Sequence, residues 1–166
     1  MGVLMIIPKQ HILSSAFVTE FIGDSQFQPA GVDMTLKKVL AFSDPGSIDF
    51  DNKERKISGT HEIPFENDWV HLAPGCYKVM FNEYVKIPSD AAALCFPRSS
   101  LLRCGMTLEC AVWDPGYEGR SEALLIVSNP HGGRFRRNAR VGQLVFVKLS
   151  EVAKELYSGK YQGENK

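Results

Sequence analysis

The feature that most constrains this chain is its punctuation. Short apolar or alternating runs are cut at regular intervals by turn-forming clusters: Asp44-Pro45-Gly46, Pro74-Gly75, Ile87-Pro88-Ser89-Asp90, Pro115-Gly116 and Asn129-Pro130-His131-Gly132-Gly133. The runs between them, residues 32–42, 75–87, 91–96, 107–113, 122–128 and 143–149, read as strands. Pro presets φ and Gly frees it where a chain must reverse, so this spacing leaves little room for long helices. The expectation is an all-β domain, a jelly roll or barrel-like sandwich. At 166 residues the chain is large enough to bury a core without staples. Short helices are expected over Ser14–Glu20 and over Glu151–Leu156, the second capped by Ser150. The polar excursion Ile48–His61 reads as a hairpin or a mobile loop. Residues 1–156 form the expected domain, and the polar, glycine-containing residues 157–166 a flexible tail.

Charge narrows the partners. Lys plus Arg and Asp plus Glu stand at 19 each, so no global field draws nucleic acid, and any anion site must be local. Cys76, Cys95, Cys104 and Cys110 include no C-x-x-C pair and read as free thiols of a reducing compartment. The four histidines, His11, His61, His71 and His131, lack metal-ligand spacing. The start "MGVLMIIPKQ" is too short and too polar for a signal peptide or membrane span. Ile6 stands where a myristoylation signal prefers Ser or Thr. The expectation is a soluble, cytoplasmic protein that binds neither membrane nor nucleic acid.

Several segments carry possible chemistry, each beside a plainer reading. In "AVWDPGYEGR", residues 111–120, Asp114 ends an apolar run and Pro-Gly turns the chain toward an exposed Tyr117. A plain hairpin explains this; a catalytic carboxylate with an aromatic pocket wall explains it too, and local chemistry favours the hairpin. In "PRSSLLRCG", Arg98 offers a fork of donors, and Ser99 and Ser100 add hydroxyls. Phosphate binding and a capped turn with an exposed Arg fit that segment equally. Asp33, in "QPAGVDMTL", reads first as a structural turn residue. Gln143, near Arg140 in "NARVGQLVF", shares a strand face with Val141 and Val145, and a buried amide needs partners, of which a ligand could be one. Arg134, Arg136, Arg137 and Arg140 form the basic cluster of a neutral chain, either a solvated loop or a funnel for a polyphosphate.

The order of these pieces says more than any one of them. "AGVDM", "PRSSL", "VWDPGYEG", "ARVGQL" and "YQGEN" occur in turn with spacings that resemble the superfamily of trimeric dUTPases and dCTP deaminases. The resemblance runs from Ala30 to Asn165 and is weak over Leu40–Leu72. It implies a distorted jelly-roll (β-clip) subunit in a homotrimer with shared active sites. It also implies roles. Asp114 would position and activate the attacking water, and Tyr117 would pack on the deoxyribose and exclude a 2′-hydroxyl. Arg98, Ser99, Ser100 and Gln143 would bind phosphates, with Arg140 beside them, and Asp33 would serve the metal and phosphate region. Tyr161 and Gln162 belong to the tail as a short lid. Mg²⁺ would be held through substrate phosphates and water rather than by a protein cage.

Within the superfamily the wording divides. A dUTPase cuts between the α and β phosphates of dUTP; a dCTP deaminase replaces the 4-amino group of the base. Arg103 completes R-S-S-x-x-R, and Asp-Pro-Gly-Tyr is closer to deaminase wording. Yet the deaminase glutamate would fall at Leu124, and Glu122, the carboxylate in that strand, matches only after a slip of two residues. dUTP hydrolysis is therefore favoured. Deamination of dCTP, alone or with hydrolysis, stands as the alternative, with Arg103 and Glu122 as its residues, and a non-catalytic nucleotide binder as a further one. Leu108 stands where common dUTPases carry an Asn near the uracil, so base recognition would rest on main-chain groups.

Overall fold

The computed structural model describes residues 5–166. The reading of the extreme N-terminus, at Met1 and Gly2, lies outside them. The chain opens with β1 (Met5–Ile6), α1 (Lys9–Ser15), β2 (Val18–Thr19), β3 (Phe27–Gln28) and the long β4 (Gly31–Phe42). β5 (Thr60–Ile63), β6 (Trp69–Leu72), β7 (Gly75–Phe81), β8 (Tyr84–Lys86) and β9 (Ala91–Pro97) come next. After the single-turn α2 (Ser99–Arg103) come β10 (Met106–Glu109), β11 (Glu118–Gly119), β12 (Glu122–Val127), β13 (Gly133–Arg136) and β14 (Arg140–Lys148). The fold is mainly β, as the turn punctuation predicts.

β4 organises the sheet. Its first half pairs with β14 and β3, its second half with β7 and β5, all antiparallel, and the path continues through β12 to β10. β9 lies along β14 from Ala91 to Pro97. Alternation then sends Val32, Met34 and Leu36 into the core with Val79, Phe81, Leu125, Leu144 and Phe146, all with no exposed surface. Each such side chain contributes roughly 1.5–3 kcal/mol by leaving water. The opposite face of β4 is buried as well: Asp33 and Thr35 are sealed together with Gln26 and Glu83. β4 and β14 run so close at Gly31 that an added Cβ would sit 2.3 Å from the Leu144 carbonyl oxygen, which is why this position has no side chain.

Several local expectations are corrected. No helix covers Ser14–Glu20: the helix runs Lys9–Ser15 after Pro8, buries Ile12, and ends where Ala16 turns left-handed at φ 52°. The β-branched pair Val18-Thr19 then pairs with Val85 and Tyr84 of β8 instead of extending a helix. Glu151–Leu156 is not helical either. Tertiary partners take its backbone, with Ala153 N–H donating to Ser89 O at 2.9 Å and Tyr157 N–H to Pro115 O at 2.8 Å. The run 75–87 breaks at Asn82, whose N–H reaches across to Thr35 O. The run 107–113 leaves the sheet after Glu109, and Trp113 bridges to Ala93 instead. Of the two readings of 48–61, the hairpin is found: Ser47 bridges Lys56 in antiparallel fashion.

Candidate active site

The sequence-selected residues gather in two places with no lining residue in common. One is a polar cleft of about 480 Å³ at the junction of β4, β9, α2 and β14, lined by Gln28, Asp33, Pro97, Arg98, Ser99 and Gln143 among others. The other is a cavity of about 570 Å³ beside the Asp-Pro-Gly-Tyr turn, lined by Asp114, Tyr117, Glu122 and Tyr161.

Sheet register builds the polar cleft. Gln143 on β14 lies opposite Asp33 on β4, and Arg140 opposite Thr35, with an irregularity between Arg140 and Gly142. This brings Arg140 Nη1 to 3.2 Å from Asp33 Oδ2, while Arg98 Nε, at the start of α2, lies 3.1 Å from the same oxygen. Asp33 is buried, and burial pushes its carboxyl above the ordinary range even though Arg98 and Arg140 both pull it down. Two guanidinium groups therefore converge on one carboxylate: Arg98 lines the cleft, whereas Arg140 meets Asp33 from beyond its lining. Arg140 spends one more on the Ser25 carbonyl at 2.9 Å. Gln143 and Ser99 complete the cleft; Ser100 and Arg103 lie exposed on α2 and do not line it. Arg134, Arg136 and Arg137 do not join Arg140. Arg134 stacks over Trp69 at 4.0 Å, Arg137 over Phe65 at 4.4 Å, and Arg136 and Arg137 face Asp68. These three sit on or beside β13 with aromatic and acidic partners, rather than in the solvated loop that is the plainer expectation for the cluster.

The second cavity has an apolar wall. Phe42, Ile57, Val112 and Leu124 line it with Tyr157 and Tyr161. The Asp114–Tyr117 turn, closed by Tyr117 N–H donating to Asp114 O at 3.0 Å, presents the exposed Asp114 carboxylate at its edge. Gly116 takes φ 84°, a value that glycine adopts without strain. Tyr117, expected to be exposed, is 5% exposed. Its hydroxyl belongs to a directional chain: the Trp113 indole N–H donates to Ser121 Oγ, Ser121 donates to the Tyr117 oxygen at 3.0 Å, and Tyr117 donates to Glu164 Oε1 at 2.8 Å. Burial pushes the Tyr117 hydroxyl well above its ordinary range and raises the Glu164 carboxyl too.

The tail binds this hairpin in its own chain. The Gln162 side-chain amide donates to Gly116 O at 2.9 Å and accepts from Glu118 N–H at 3.0 Å, so it braces the turn. Gly163 N–H donates to Glu118 O at 2.7 Å, and Arg120 N–H donates to Glu164 O at 3.0 Å. The buried Arg120 side chain holds Asn165 O at 3.2 Å and Glu20 Oε2 at 2.5 Å. Glu164, Arg120, Ser121 and Lys78 carry no signal in the sequence, because each acquires meaning only from a partner brought to it by the fold. Among the described residues no group of three or more His, Cys, Asp or Glu converges as a metal cage, and no helix is long and apolar enough to cross a membrane.

Comparison with known proteins bears on this arrangement. A family model described as dCTP deaminase-like matches residues 7–149. The probable deoxyuridine 5'-triphosphate nucleotidohydrolase of Methanosarcina acetivorans is 50% identical over 156 residues, covering 93% of this chain and 89% of that protein. The deoxyuridine 5'-triphosphate nucleotidohydrolase of Methanocaldococcus jannaschii is 42% identical over 144 residues, 86% of this chain and 90% of that one. Among solved structures, the 2'-deoxycytidine 5'-triphosphate deaminase from Agrobacterium tumefaciens is similar over 89% of this chain, with a TM-score of 0.70 and 18% identity. This chain spans 49% of that longer one. The native EIAV dUTPase gives a TM-score of 0.52 at 10% identity, over 99% of both chains. These two likenesses concern the fold alone.

Proposed function

This chain belongs to the dCTP deaminase-like family, and on that footing we propose that it is a dUTP nucleotidohydrolase, converting dUTP to dUMP and pyrophosphate. The close relatives carry that activity in their names, and one observation of this chain carries the reading further. The Asp-Pro-Gly-Tyr turn presents, from four consecutive residues, a solvent-reaching carboxylate and a wall of a largely apolar cavity, the kind of concave site that takes a small ligand.

In this reading the base and sugar enter the hairpin cavity, with the Tyr117 ring against the deoxyribose. Tyr117 is held by the Trp113–Ser121–Tyr117–Glu164 chain, so its ring leaves no room for a 2′-hydroxyl. The triphosphate is gripped by Arg98, by Ser99 and by Gln143, with Arg140 beside them. Asp33 keeps the two guanidinium groups aimed and its own charge buried beneath them. A water then attacks the α-phosphorus in line. Its proton passes to the Asp114 carboxylate, the bond from α-phosphorus to the bridging oxygen breaks, and pyrophosphate leaves. The donor set suits Mg²⁺ that arrives on the triphosphate: Asp114 faces solvent at the cavity edge and would meet such an ion through water, while the ion, when bound, spreads the phosphate charge.

Because the polar cleft and the hairpin cavity share no residue within one chain, we also propose that a complete site draws them from neighbouring subunits of a homotrimer. The free thiols suit a cytoplasmic setting. Incubation with dUTP and Mg²⁺ is expected to release pyrophosphate, and Asp114→Asn to lower turnover by about 10³-fold while sparing dUTP binding. Ammonia from dCTP, with no pyrophosphate from dUTP, would overturn the reading in favour of deamination through Glu122.

A further inference from the structure

One ion pair crosses two strands inside the hairpin cavity. Lys78 Nζ lies 2.9 Å from Glu122 Oε2, and each side chain keeps only 25% of its surface exposed. The two sit diagonally on neighbouring strands: Lys78 of β7 is opposite Leu124, and Glu122 of β12 is opposite Met80. Alternation puts Lys78, Glu122 and Leu124 on the same face, and all three line the cavity that holds Asp114 and Tyr117. Among the described residues neither charged group makes a hydrogen bond beyond this contact. An ammonium therefore keeps donors to spare and a carboxylate keeps an acceptor, side by side, against an apolar wall that includes Phe42 and Val112. Groups left so in a half-dry cavity favour a ligand whose polar edge completes them.

We infer that Lys78 and Glu122, beside the main-chain groups expected to meet the base, read its edge and select uracil over cytosine; the inference rests on the dUTP-hydrolysing reading of the same cavity. Uracil presents an acceptor at O4 beside a donor at N3–H, and a lysine next to a carboxylate presents the complementary donor and acceptor. Cytosine reverses both. Its 4-amino group would face the ammonium, and its N3 lone pair would face the carboxylate, so both contacts become repulsive. The 5-position lies off this edge. The pair is accordingly blind to the methyl group of thymine.

That blindness separates base reading from a merely structural role. The experiment measures pyrophosphate release from dUTP, dCTP and dTTP, all with Mg²⁺, for the intact protein, Glu122→Gln and Lys78→Met. The Gln amide can donate to N3 of cytosine, and Met removes the ammonium that repels the amino group. The expected result is a fall of about 10- to 100-fold in the dUTP-to-dCTP ratio of kcat/KM for each variant, with the dUTP-to-dTTP ratio unchanged. Competition by dUMP and dCMP should shift in parallel, which keeps the test alive if a variant turns over poorly. A dUTP-to-dCTP ratio that does not move in either variant, or a loss shared equally by all three nucleotides, overturns the inference. Absence of dUTP hydrolysis in the unmodified protein is a different result and removes the underlying reading instead.

Discussion

The two halves of the candidate site are made in opposite ways. The polar cleft is a product of long-range register: Asp33, Arg98 and Arg140 meet because β4 and β14 pair in one alignment and α2 starts beside them. A shift of one residue in that pairing would put Asp33 and Gln143 on opposite faces of the sheet. The hairpin cavity instead sets a turn against a strand wall of β7 and β12, and residues 162–165 of the same chain tie that turn down through side chains. Charge is fixed by the pairing of long strands, and the rim of the cavity is fixed by a turn and the tail that braces it. A grip on a triphosphate needs preorganised donors, whereas a pocket that admits and releases a nucleoside needs a wall that can open.

The most severe way to break this comparison is to disable one half at a time. Arg98→Ala and Asp114→Asn are each expected to lower kcat/KM for dUTP by about 10³-fold. If the halves come from different subunits, unfolding and refolding the two inactive variants together restores a share of the activity. Failure of the mixture to recover would place both halves in one chain. A smaller effect is expected from Tyr117→Ala, which should lower the preference for dUTP over UTP by about 10- to 100-fold. An unaltered preference, measured as a ratio of kcat/KM, removes Tyr117 from sugar selection. Deleting residues 158–166 takes away Glu164, Gln162 and Asn165 together, and is expected to raise KM by about tenfold while leaving the unfolding temperature nearly unchanged. A large drop in unfolding temperature would instead make the tail part of the core.

The gentlest test concerns the polar seal behind Asp33. Glu83 has no exposed surface; it accepts from Thr35 N–H at 2.9 Å, from the Thr35 hydroxyl and from the Gln26 amide at 2.7 Å. Burial raises its carboxyl above the ordinary value of 4.5, outweighing those hydrogen bonds. The native state then holds a proton that the unfolded chain has already released. Glu83 therefore contributes stability most fully below pH 4.5, and loses it as pH rises through the raised value, by at most ~1.4 kcal/mol per pH unit. Urea unfolding across that window should show this slope in the unmodified protein and a flatter one in Glu83→Gln. Identical slopes would mean that Glu83 does not titrate there.

The features legible in the sequence are those that announce themselves locally. Pro115-Gly116 has to be a turn, and a turn there has to display Asp114. Apolar alternation marks β4 and β14 as strands, and the ordered run of motifs points to the family. Tyr117 escapes this logic because a tyrosine after Pro-Gly looks like a surface residue. Its burial depends on Ser121, Trp113 and Glu164, the last 47 positions away. Asp33 looks like a turn residue for the same reason: its partner Arg140 lies 107 positions on. Glu83 is hidden by the rule of alternation itself, which assigns polar residues to a wet face. The polar face of β4 is dry, sealed by Gln26 from a short turn and by Glu83 from the break after β7. The helix expected over Ser14–Glu20 fails because Val18 and Thr19 have a strand partner 65 residues downstream that no local propensity reveals.

The tail wound onto its own hairpin also governs how the protein can be handled at the bench. Asn165 and Lys166 stand directly after Glu164, the carboxylate that caps the Tyr117 hydroxyl. A purification handle fused after Lys166 would begin two residues past Glu164, pulling on the segment that braces Gly116 and Glu118.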